Sequence, residues 1–376
     1  MKKILYVGGF ELPDKGAAAI RVMNNALLFR SCGYDVHLLG VRKDNLKTND
    51  SGSHMGFSYD TIKYPSSLRE WMIYLSSFSS FSILEREKPD LVILYDFPGL
   101  AILKWRRYCK KKGIKIIGDV TEWYLPTGNL LMKLLRGLDT NLRMRYSHHR
   151  LDGMITISSF LYNYYYKSKC ILLPPLMDKG AVVSPEPVLP QTLSLVYAGS
   201  GGGKNKDRLD YIIDAINSLD HPNLSFKIIG LDEKKYNVMY DSPFRDKWGC
   251  ITFLGRLEHN DTLSKIINSH FQIFVRPINR VTTAGFPSKL VESFGLGVPV
   301  ITNKTSNIAD YVHNGVNGFL LETGHPLEIK RQLEILLNMK AEDLLSIRRR
   351  CQEDSSFDYR TYISEVSLFL KNIIDK

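Results

Sequence analysis

The segment TTAGFPSKLVESFGLGVPVITN, Thr282 to Asn303, carries one carboxylate, Glu292, inside a short predicted helix that starts near Pro287, Ser288 and Lys289. The helix is followed by a Gly-Leu-Gly break and an apolar strand, so an acid at its centre calls for a role. A second stretch, YAGSGGGKNKD, puts a glycine turn before a predicted helix with Lys204 and Lys206 beside it. It is not a P-loop: the run from Gly199 to Lys204 is one residue short of the required spacing, and Asn205 stands where Ser or Thr is needed. What remains is a helix start with free N–H groups and two lysines, which can hold a diphosphate. A plain strand-to-helix turn with solvated lysines is the alternative. A third loop, GGFELPDKGAAA, offers Gly8, Gly9 and Gly16, which let backbone approach a ligand or simply make a turn.

The elements that must position these loops alternate between strand and helix. The first half reads as the strand ILYVGG, the helix AAAIRVMNNALLFRSCG with Ile20, Met23 and Leu27 on one stripe, and the strand DVHLLG. It continues with DLVILYD, a helix through GLAILKWRRYCKKKG, and IKIIGDV. A Pro-rich linker, LLPPLMDKGAVVSPEPVLP, separates these from a restart at LSLVYAG. FKIIG, ITFLG, FQIFVRP and VPVIT follow as strands with helices between. The pattern predicts an α/β protein with parallel sheets covered on both faces. Two Rossmann-like domains are expected to face a cleft, over residues 1–178 and 179–376. The last helix, about 359–374, is expected to pack back on the N-terminal domain.

Composition narrows the partners. The 376 residues carry a net charge of +11. Up to Lys179 there are 27 Lys/Arg against 16 Asp/Glu, and after it 23 against 23, so the whole excess lies in the first half. Such a bias implies an anionic partner: phosphates, nucleic acid or acidic lipid. No nucleic-acid recognition motif accompanies it, and nucleic acid is not expected. The basic runs are KWRRYCKKKGIK and LLMKLLRGLDTNLRMRYSHHR; in the second, Lys133, Arg136, Arg143 and Arg145 interleave with Leu131, Leu134, Leu135, Leu138 and Met144. That pattern suits a helix lying on an anionic membrane, with a core stripe as the alternative. His148–His149 read as part of a solvated basic face. No run is long and apolar enough to span a bilayer. The start MKKILYVGGF reads as a first strand, not a signal peptide. The five cysteines are scattered without metal-binding spacing, which fits a reducing cytoplasm. The internal Gly52–Met55, GSHM, is taken as coincidence.

Taken in order, GGFELPDKGAAAIRVMNNA, GDVTEWY, YAGSGGGKNKD, AGFPSKLVESFGLGVPVITN and VHNGVNGFLLE resemble the family 4 nucleotide-sugar glycosyltransferases of bacterial surface-polysaccharide synthesis. The resemblance spans most of the chain and implies the GT-B fold. It places Glu292 at the second acid of a Glu-x₇-Glu motif, where a carboxylate accepts the two ribose hydroxyls. It implies that the segment Gly285, Phe286, Pro287 and Ser288 lies against the diphosphate, with backbone N–H groups from Gly285, Phe286 and Ser288 and side-chain contacts from Ser288 and Lys289. Lys206 matches the family's phosphate lysine and is assigned to binding and catalysis. Ser200, Arg256 and Leu257 join the donor-binding set, with Gly8, Gly9 and Gly16 from the first domain. Two positions depart from the pattern. Ala284 replaces the first acid, and Ser200 replaces the usual arginine; Arg276 and Arg280 are candidates to restore positive charge. Asp119 and Glu122, at the end of the strand IKIIG, are the expected acceptor-side catalytic acids, with caps or surface acids as the alternative; Asp96 is a weaker third.

The implied activity is transfer of a sugar from a UDP-sugar to a glycan acceptor carried on a polyprenyl diphosphate. Configuration would be retained by a front-face route, and neither a cofactor nor a metal is expected. The location implied is the cytoplasmic face of the plasma membrane. A nucleotide-sugar 2-epimerase and a non-catalytic nucleotide-binding subunit are the competing readings.

Overall fold

The computed structural model describes residues 1–12, 16–43, 51–124, 128–181, 189–202, 204, 206–220 and 222–375. Pro185 and Pro187 of the expected linker, and Asn205, lie outside them. The chain divides into two compact units, Met1–Leu176 with Asp358–Lys376, and Met177–Phe357.

The first unit is built on eight strands: β1 (Lys3–Glu11), β2 (Asp35–Arg42), β3 (Ser51–His54), β4 (Phe57–Lys63), β5 (Leu91–Tyr95), β6 (Lys115–Val120), β7 (Gly153–Thr156) and β8 (Cys170–Leu172). Their order is β3-β4-β2-β1-β5-β6-β7-β8. All neighbours are parallel except β3, an antiparallel edge on β4. The central strands are mainly apolar and buried along most of their length, as a sheet covered by helices requires. β1 does not stop at its glycines: it runs through Gly8 and Gly9 to Glu11, with a register shift after Val7. The register Tyr95↔Asp119 brings the carboxyl ends of β5 and β6 side by side. The helix Ala17–Ser31 buries Met23 and Leu27 but turns Ile20 outward. Val366, Leu370 and Ile373 of the helix Ile363–Ile374 complete the same core. Gly153 is required beneath them, since a Cβ there would stand 2.7 Å from Ile373.

The second unit contains β9 (Leu193–Ala198), β10 (Leu224–Ile229), β11 (Ile251–Gly255), β12 (Phe271–Ile273), β13 (Val300–Asn303) and β14 (Gly318–Leu321), all parallel in the order β11-β10-β9-β12-β13-β14. Val196 and Ala198 of β9 pack with Ile266, Ile267, Leu296 and Val298, which ties the helices His259–Ile267 and Ser288–Gly295 to the central strand. Each loop singled out in this half follows the carboxyl end of a strand, where ligands bind in open parallel sheets.

Candidate functional site

In the second unit the helix Ser288–Gly295 opens on Pro287, and no side chain caps its first turn. Its leading N–H groups are therefore available to an anion. Ser288 is exposed beside them, whereas Gly285 and Pro287 are buried. Phe286 is a packing anchor, edge-on to Tyr311 and Phe357, so its side chain serves the core and only its backbone can serve a ligand. Glu292 sits one turn on, half-buried. Burial pushes its carboxyl above the ordinary value, against the opposing pull of His259 and Lys289. No hydrogen bond or ion pair satisfies that carboxylate among the described residues, which leaves it ready to accept donors from a ligand. Ala284 is fully buried at the end of the short helix Arg280–Ala284.

Lys289 occupies a different place from the one expected. Its ammonium lies 2.7 Å from Asp207, inside the fold rather than toward a diphosphate. Tyr197 also donates to Asp207 at 2.7 Å, and Arg276 Nε stands 4.0 Å from the same carboxylate. Burial opposes the charge of Asp207, but Lys289, Tyr197 and Arg276 outweigh it and hold the carboxyl below its ordinary value. Gly199 makes room for this arrangement: a Cβ there would stand 2.6 Å from Lys289 Cε. Asp207 is the residue after Lys206. Its carbonyl accepts from Tyr240 at 2.9 Å, and the N–H of Arg208 donates to Val275 at 2.8 Å. The backbone under Lys206 is thus pinned while its side chain, like that of Ser200, stays exposed. Arg256 is exposed just past β11, and Leu257 packs against the core, so only Arg256 offers a polar side chain there.

In the first unit two expectations need correction, for Asp119 and for His148. Asp119 is 1 % exposed, and Arg21 clamps it with Nε at 3.1 Å and Nη2 at 2.8 Å. Tyr6 and Asn25 add further donors to Oδ2, and burial with the ion pair turns this carboxylate into the fold. It is a buried structural ion pair. Gly8 is dictated by packing, because a Cβ would stand 2.6 Å from Tyr95; Gly9 would crowd Tyr74 at 2.8 Å. Gly16 does carry a backbone need: its φ of 88° lies in the left-handed region at the start of the helix Ala17–Ser31. His148 is not solvated but buried; burial and Arg143 push its imidazole well below the ordinary range, and Nδ1 pairs with Tyr165 at 2.8 Å.

Asp96, placed last among the acids, has the better setting. It follows β5 with φ 40°, a left-handed conformation that Asp tolerates better than most residues. Its carboxylate accepts from Thr121 and, at 3.3 Å, from Tyr124. Burial raises its pKa to about 6, with Arg143 and Thr121 pulling the other way and Glu122 and Asp119 adding to the rise. Glu122 is half-buried nearby. Asp96 and Glu122, not Asp119, are the acids the fold leaves open at this sheet edge. Among the described residues, His37, Asp60 and Glu87 alone group as metal ligands do, and Arg86 and Lys3 already pair with their carboxylates.

Residues 195–355 match the family model of the glycosyl transferases group 1. The matched stretch lies within the second unit, from β9 onward. A stretch of 130 residues is 28 % identical to an uncharacterized glycosyltransferase of Methanocaldococcus jannaschii, covering 35 % of this chain and 34 % of that protein. The chain thus aligns with about a third of the length of this curated relative. Across 99 % of this chain and all of the other, the fold matches Anabaena HepE in complex with UDP and glucose, with a TM-score of 0.67 and 13 % identity. Sucrose-phosphate synthase from Thermosynechococcus elongatus matches over the full length of both chains, with a TM-score of 0.70 and 14 % identity. These likenesses establish the fold as GT-B, with two Rossmann-like units, as expected.

Proposed function

We propose that this chain transfers a hexose from a UDP-sugar to a hydroxyl of a lipid-linked glycan, in the assembly of a surface polysaccharide. The observation that carries the reading is Glu292, a desolvated carboxylate without a partner among the described residues, one turn into an uncapped helix within the stretch similar to the group 1 glycosyl transferases. A nucleoside diphosphate matches both features: its ribose diol satisfies the carboxylate and its phosphates meet the helix N-terminus. UDP in the HepE complex supports uracil as the base.

In this reading the leaving diphosphate is stabilised by the helix 288–295 N–H groups and by the exposed Lys206. Lys289 and Arg276 act at one remove, as charges fixed on Asp207. In this reading no carboxylate serves as a covalent nucleophile. The sugar would therefore leave and be captured on the same face, with retention, and catalysis would rest on positioning and charge stabilisation without a metal. Asp96 or Glu122 would orient the acceptor hydroxyl.

A lipid-linked acceptor fits the helix Leu130–Leu142, whose Leu130, Leu134 and Leu138 are 85 %, 59 % and 59 % exposed at a spacing of four. Lys133, Arg136 and Arg145 are exposed in the same stretch, but Arg143 and Met144 are buried and do not contribute to an anionic-lipid surface. Each basic side chain near an acidic bilayer adds about 1 kcal/mol. Among the described residues no helix is long and apolar enough to cross a membrane, so peripheral attachment to the inner face is proposed. The test is a mass-spectrometric screen of UDP-, GDP- and dTDP-sugars against a lipid-linked acceptor extract. Turnover of donor with no acceptor present would favour a 2-epimerase, and UDP binding without turnover a non-catalytic subunit.

A further inference from the structure

Arg143 opens a π-helical turn, Arg143–Ser147, at the end of the helix Leu130–Leu142. Such turns recur at functional positions. The side chain is 3 % exposed, and its Nη1 makes one long bond, 3.4 Å, to the carbonyl of Asp96. Its Nε and Nη2 are buried without a hydrogen-bond partner among the described residues. These two N–H groups form the side-on fork that grips an oxyanion at two points. The same fork of Arg21 is closed on Asp119, at 3.1 and 2.8 Å. Arg143 holds an equivalent fork open.

The neighbours do not fill it. Asp96 is engaged by Thr121 and Tyr124, and Asp139 accepts from the Gly99 N–H at 2.8 Å. His148 is neutral and paired with Tyr165. The ring of Tyr124 lies over the guanidinium, 4.9 Å from centroid to Cζ, and is itself 41 % exposed. Ligand entry requires that ring to swing aside, next to Asp96 at the carboxyl end of β5, where ligands of parallel sheets bind. An unsatisfied buried guanidinium is costly, and a ligand that supplies two oxygens removes the cost. With Asp96 and Asp139 close by, a single negative charge suits the site better than two.

We infer that Arg143 is a binding site for a singly charged oxyanion borne by a saccharide, a uronate carboxylate or a sugar phosphodiester. Calling that saccharide the acceptor rests on the transferase reading; the binding itself does not. The experiment is calorimetric titration of the full chain at fixed ionic strength with methyl glucuronide, the methyl phosphodiester of glucose, and methyl glucoside. The expected result is at least tenfold tighter binding of one charged probe than of the neutral glycoside, and which one wins identifies the source of the charge. R143Q should bring the preferred charged probe to within twofold of the glucoside, and R143K, which keeps charge but loses the fork, should fall between. No preference for either charged probe, or the same preference in folded R143Q, overturns the inference. Should R143Q fail to fold by circular dichroism, the wild-type and R143K titrations decide. Absence of sugar transfer alongside Arg143-dependent binding would defeat the transferase reading alone. Equal transfer to charged and neutral acceptors alongside Arg143-dependent binding would remove only the assignment of that saccharide as the acceptor.

Discussion

Asp96 separates stability from function at a single carboxyl. Its native pKa of about 6 lies above the ordinary 3.8, so the folded state holds the proton more tightly than the unfolded chain. Stability is therefore favoured below about pH 4 and lost as pH rises to about 6, where Asp96 ionises in place; about two pKa units correspond to about 3 kcal/mol. D96N keeps the shape and tolerates the left-handed backbone. It should raise stability over wild type by up to about 3 kcal/mol at pH 8, with little difference at pH 4, in urea titrations. It should also remove any rise of transfer rate through pH 6. The lysines make a second contrast. K289A leaves Asp207 buried beside only Tyr197 and Arg276, and should cost about 3 kcal/mol of stability. K206A should leave stability within about 0.5 kcal/mol and lower turnover instead, because phosphate charge grows as the glycosidic bond breaks. Equal melting temperatures for the two variants would remove the distinction.

At the scale of elements, the alternation of apolar strands and helices was legible because parallel strands buried on both faces leave near-continuous hydrophobic runs. The helix that carries Glu292 was legible because its markers, Pro287 and the glycine break, are its sequence neighbours. Asp119 was not: Arg21, Tyr6 and Asn25 come from β1 and the following helix, and only the sheet register brings them together. Asp207 was missed for the same reason, since Lys289 lies 82 positions away. The signal available was an acid directly after Lys206. Arg143 and His148 looked like part of a basic face because charge spacing alone cannot reveal which turn of a helix is covered. The prediction at this scale is that D119A destabilises the first unit by about 3–5 kcal/mol in urea unfolding, as loss of one partner leaves Arg21 charged and buried. A variant as stable as wild type would return Asp119 to the list of catalytic acids.

For the whole molecule, the stretch similar to the group 1 glycosyl transferases lies in the half with no excess charge, and the first half is basic with an exposed leucine stripe. Co-sedimentation with vesicles should show binding to anionic but not neutral lipid, reduced by salt and by changing Lys133, Arg136 and Arg145 to Gln. Equal binding to both vesicle types would discard electrostatic attachment. The central claim is that Glu292 accepts the ribose of a uridine nucleotide, and calorimetric titration of UDP into wild type and E292A tests it most directly. Losing charge-assisted bonds worth about 1.5–3 kcal/mol each should weaken UDP at least tenfold in a protein that still folds. Wild-type affinity in E292A would contradict the account.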